Sequence, residues 1–129
     1  MSKLITGQVK IESFEQVKEA CKVLGWLVEE RGEGVRVHII AEGARYHTYI
    51  DVSQTGQLHY DNWMGAAGED LHSEEHRQGK EDTVTARVIG QFKQAVARVR
   101  MEGMLKAHKA SWRVEKRQDG AQVLVVRRG

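Results

Sequence analysis

Proline is absent from the 129-residue chain, and cysteine occurs once, as Cys21. With no proline, the loops depend for punctuation on 13 glycines, and no segment has the composition of a proline-rich linker. A lone cysteine excludes an internal disulfide and leaves no second thiolate for a structural zinc site, which fits a reducing compartment. The longest unbroken apolar run is Val123 to Val126, far short of the roughly twenty residues of a spanning helix. Near the start, Lys3 is a single cation, and polar residues intervene before an apolar stretch of signal-peptide length can form. These absences predict a cytoplasmic protein with no membrane segment.

What is present is an ordinary globular balance: 40% hydrophobic and 29% charged residues, enough apolar material for one core and too much for a disordered chain. The length predicts one domain over residues 1–129. Net charge is only +2, but residues 1–86 hold 9 Lys and Arg against 15 Asp and Glu, and residues 87–129 hold 11 against 3. Such asymmetry means either an acidic partner for the basic half or attraction between the halves within one fold.

Periodicity predicts the elements. Ile5, Val9 and Ile11 share one parity, reading as a strand, and Ser13-x-x-Gln16 reads as a capping box. Phe14, Val17, Cys21 and Leu24 then recur at helical spacing up to Gly25, a left-handed cap. Four strands are expected next, at 26–30, 35–39, 46–52 and 57–60, separated by glycine turns. The pattern stops at 63–82, a long polar loop. A second helix from about Thr83 to Ala107 has a buried stripe of Val88, Phe92, Ala95, Val96 and Val99, and spans about 37 Å. A strand around Trp112, a turn at Asp119-Gly120 and a strand at Val123 to Val126 close the chain. The expected class is α+β: a mainly antiparallel sheet of six to seven strands, in the order β-α-β-β-β-β-α-β-β, with two helices packed on one face.

Tyr46-x-x-x-Ile50-x-Val52, a turn at Gly56, then Leu58-x-x-Asp61-x-Trp63-x-Gly65 resembles the central motif of a small uncharacterised protein family of cyanobacteria, plastids and some phages, known only as a domain of unknown function. The closing Gln118-Asp119-Gly120 and Val123 to Arg128 are similar to that family's last hairpin. Two features depart from it: Met64 stands where the family tends to have a second tryptophan, and 68–80 is an addition. The resemblance implies a fold and no reaction; its association with genes for AAA-type ATPases implies service as a partner of a larger machine.

Candidate sites fall into several groups. His72-Ser73-Glu74-Glu75-His76 has the His-x-x-Glu-His spacing in which His72 and His76 can share a zinc while Glu75 acts as a base, the pattern of a metal-dependent hydrolase. No third or fourth ligand is evident, so no metal or other cofactor is expected. Strand alternation places His47, Tyr49 and Asp51 on one face of their strand and His59 and Asp61 together on one face of the next, either a convergent acid–base grouping or simply the polar outside of a sheet that buries Tyr46, Thr48, Ile50, Val52, Leu58 and Tyr60. Asp61 and Trp63 make either a binding edge or a structural corner, and Cys21 belongs to a packing stripe.

The basic half supports nucleic-acid binding through Arg87, Arg98, Lys109, Arg113 and Lys116. Winding the helix places Arg87, Arg98 and Lys109 on one flank of the buried stripe and Lys93 and Arg100 on the other, not in a single ridge, and no aromatic pair on a strand accompanies them. The same winding, with Arg87 at zero, puts Ala97, Met101, Met104 and Leu105 at about 280°, 320°, 260° and 0°, while the core stripe centres near 140°. Those four residues predict a contact surface for a protein partner or a second copy, and a non-enzymatic interaction module is the reading that follows. The competing geometry has the helix break near Gly103, returning Met104 and Leu105 to the core.

Overall fold

The computed structural model describes residues 4–65, 81–107, 111–116 and 122–127. The fold is α+β. In chain order it comprises β1 (Leu4–Gln8), α1 (Phe14–Leu24), β2 (Leu27–Arg31), β3 (Gly34–His38), β4 (Tyr49–Val52), β5 (Gln57–Asp61), α2 (Thr83–Ala107), β6 (Ser111–Lys116) and β7 (Gln122–Arg127). Strands β1 to β5 form one antiparallel sheet in the order β1-β5-β4-β3-β2. The closing pair β6–β7 is a separate two-stranded sheet. A single larger sheet was the expectation; alternation within a terminal hairpin identifies its strands but says nothing about whether its edge joins another sheet.

Helices α1 and α2 lie against each other and on one face of the large sheet. Val17, Ala20 and Cys21 of α1 meet Val88, Phe92 and Val96 of α2 there, over Val37, Ile50, Val52 and Leu58 of the strands. Burying a side chain such as Phe92 or Ile50 stabilises the fold by about 1.5–3 kcal/mol. Trp26 stacks on Phe92, with ring centroids 6.5 Å apart, while its indole N–H donates to the Ile40 carbonyl at 3.0 Å. No helix among the described residues is long and apolar enough to cross a membrane.

The first helix ends as expected, on Gly25 at φ +77°, with a backbone N–H returned to the Cys21 carbonyl. Its start differs. Ser13 makes no side-chain cap; the Gln16 side chain instead accepts the Glu12 N–H at 2.9 Å, one residue earlier than a capping box requires. The second helix has the cap that the first lacks: Asp82 Oδ1 accepts the Thr85 N–H at 2.6 Å. It runs unbroken past Gly103.

Strand β4 begins at Tyr49, three residues later than expected, because Tyr46 and His47 form a turn with His47 at φ +64°. Tyr46 is therefore 89% exposed instead of buried, whereas Thr48, Ile50, Val52, Leu58 and Tyr60 are buried as the alternation predicted.

Candidate functional site

The face of the large sheet away from the helices carries a polar row crossing all five strands: Thr6, His59, Asp51, Arg36 and Glu29 stand opposite one another in register. Arg36 binds Asp51 through two parallel bonds, Nε to Oδ1 at 2.8 Å and a terminal nitrogen to Oδ2 at 3.1 Å. Its guanidinium also lies 3.8 Å from the centre of the Tyr49 ring. His38 Nε2 is 3.0 Å from Glu29, whose carboxyl is held below its usual range chiefly by that contact. A depression of about 500 Å³ opens here, lined by Arg31, Glu33, Arg36, Asp51, Gln54 and His59 among others.

Of the four residues considered as an acid–base grouping, the fold brings Asp51 and His59 opposite each other. Asp51 engages both oxygens on Arg36, however. His47 leaves the sheet in the turn before β4, its ring against Tyr46. Asp61 pairs with Arg45 at 2.7 Å. The two cations and two carboxylates around the depression balance, so it holds no excess charge to draw an ionic substrate. Cys21, the one thiol, is buried in the core, and burial pushes its pKa up to about 12, which suppresses the nucleophilic thiolate.

Asp61 and Trp63 belong to a corner that locks β5 onto α2. Asp61 accepts the Trp63 N–H at 2.8 Å, and Trp63 is buried, so its ring presents no binding edge. Thr85, fully buried, accepts the Met64 N–H at 2.8 Å, and Asp82 Oδ2 accepts that of Gly65 at 3.0 Å. Arg45 donates to the Met64 carbonyl from both its backbone N–H and its side chain. Tyr60, its phenol pKa raised by burial and by Glu81, donates to that carboxylate at 2.7 Å. Asp82 and Thr85 were not singled out from sequence, although an aspartate immediately before the first helical residue is a recognisable cap signal.

Three arginines of α2 are engaged within the chain. Arg87 donates to the Glu42 carbonyl, Arg98 to Glu102 at 2.9 Å, and Arg100 to Glu12 at 2.8 Å, which ties the middle of α2 to the entry of α1. Lys109, like His72, Glu75 and His76, lies outside the described residues. Arg113 and Lys116 lie on β6, with their side chains outside the described set.

Ala97 is exposed on the far side of α2, together with Met101 at 43% and Met104 at 47%. Gly103, at the angle of the core stripe, is also exposed, so the last turns of the helix project past the sheet core. Leu105, expected beside the methionines, is instead buried. It lies about 140° from the stripe centre and outside the main core cluster. A helical wheel places a residue relative to the helix's own core stripe and leaves out what packs on its other flank.

The chain matches no protein-family model, no curated protein and no solved structure. The resemblance to the cyanobacterial, plastid and phage family therefore rests on the motif residues quoted above.

Proposed function

We propose that this domain is a non-enzymatic protein-interaction module, a cytoplasmic accessory subunit of a larger assembly, which docks a partner on the outer side of α2. The observation that carries this reading is the exposure of Met101 and Met104 beside Ala97 on a helix whose end projects beyond the core. Two large flexible apolar side chains left in water on one side of a helix are costly unless covered, and methionine adapts to varied partner surfaces. Among the described residues, the chemistry of other candidates supports the same view: the buried thiol, the charge-paired Asp51 and the corner-forming Asp61 and Trp63 each serve the fold.

The experiment is affinity purification from the native cell with the parent chain and with a Met101→Glu, Met104→Glu double variant, alongside thermal melts. The expected outcome is a stoichiometric partner, for which an AAA-type ATPase is the class implied by the resemblance, held by the parent and lost by a variant that melts within a few degrees of it. Equal retention by both chains contradicts the assignment of this face, and a variant that unfolds shows the methionines to be core.

A further inference from the structure

The large sheet has two edges, β1 and β2, and they differ in chemistry. Strand β2 reads Leu27-Val28-Glu29-Glu30-Arg31, with charges at three of its five positions, the usual protection against unwanted strand pairing. Strand β1 reads Leu4-Ile5-Thr6-Gly7-Gln8, with no charge, no proline and a regular register against β5. The direction of its free backbone groups follows from the ladder. Val9 donates its N–H to Gly56 at 2.9 Å, so the odd-numbered residues turn their N–H and C=O toward β5, and those of Leu4, Thr6 and Gln8 point away from it, to the side where no strand pairs among the described residues.

We infer that the open edge of β1 is a pairing site for a second copy of this chain, joining two five-stranded sheets into one antiparallel sheet about a two-fold axis at Thr6. The sequence is self-complementary in that register. Thr6 faces Thr6 of the second copy, a favourable cross-strand pair, and Leu4 faces Gln8 in both directions; all three are positions whose backbone groups point away from β5. Ile5 falls opposite Gly7, which has no side chain to oppose it, on the side of the half-buried helix-facing surface. No like charges meet. The corresponding pairing through β2, centred on Glu30, sets Glu30 against its own copy.

Sedimentation or light scattering over a concentration series tests this on the full chain. The expected result is a mass rising from 14.6 kDa toward twice that value. Thr6→Lys places two ammonium groups at the axis, and Thr6→Pro removes one outward N–H and no bond to β5. Both variants, folded by circular dichroism, are expected to stay at 14.6 kDa, while Glu30→Lys and the Met101→Glu, Met104→Glu pair associate like the parent. A parent that is monomeric throughout, or association undiminished in Thr6→Lys, overturns the proposal. Association abolished by the methionine changes alone also overturns it and assigns the self-contact to α2. Should Thr6→Pro fail to fold, Thr6→Lys, altered only at an exposed side chain, decides.

Discussion

Gly56 occupies the β4–β5 turn at φ +84°, where a Cβ would overlap the carbonyl oxygen of Val9, the residue to which Gly56 is itself bonded across the sheet edge. Relief would require β1 to move off β5. Gly56→Ala is therefore expected to cost at least about 2 kcal/mol, above the left-handed backbone penalty alone, as read from urea denaturation. A loss below that of an ordinary surface change would mean the turn relaxes freely.

Cys21 makes the second residue-scale prediction. Its thiol titrates near 12 in the fold against 9.0 for an unperturbed group, so above pH 9 the unfolded chain releases a proton that the folded chain keeps. The raised pKa contributes stability that is fully present below pH 9 and lost as pH rises toward 12, with a slope of at most about 1.4 kcal/mol per pH unit. Cys21→Ala is expected to flatten the fall in stability between pH 9 and 10, and native Cys21 to resist alkylation at pH 8 until the chain unfolds. Rapid labelling of the native protein at pH 8 would contradict the buried-thiol account.

At the scale of elements, the two helix starts make a matched pair. Ser13 has the residue type of a cap and makes no cap bond, whereas Asp82 bonds both Thr85 and Gly65 and so holds α2 and the β5 corner together. Ser13→Ala is expected to be nearly neutral and Asp82→Ala to cost about 1–2 kcal/mol, measured as shifts in denaturation midpoint; equal effects would show that the corner bonds are not what Asp82 contributes. The pair also marks where sequence was legible. Helix extents and strand parity were readable because burial repeats at 3.6 and 2 residues and glycine stops α1. The start of β4 was misread because Tyr46 to Ile50 alternates like a strand while His47 takes a positive φ. The exposed methionines were readable from helical angles; the burial of Leu105 and the edge position of β1 among the described strands were not, since neither tertiary packing nor strand order is set by local periodicity.

For the whole molecule, the lopsided charge is used in part inside the fold: Arg100 reaches Glu12, and Arg87 reaches the backbone of Glu42, so cations of the basic half hold acceptors of the acidic half. Nucleic-acid binding through the basic half is accordingly expected to be weak and to vanish near about 150 mM salt. Filter binding across a salt series checks this, and submicromolar affinity that survives there and falls on Arg98→Ala would instead favour a nucleic-acid role.

Hydrogen exchange of the free and partner-loaded protein tests the central claim most directly. The account predicts new protection over the last turns of α2, around 97–104, with the outer face of the sheet at Arg36, Asp51 and His59 unchanged. Protection confined to that sheet face, with α2 exchanging as in the free chain, would contradict it.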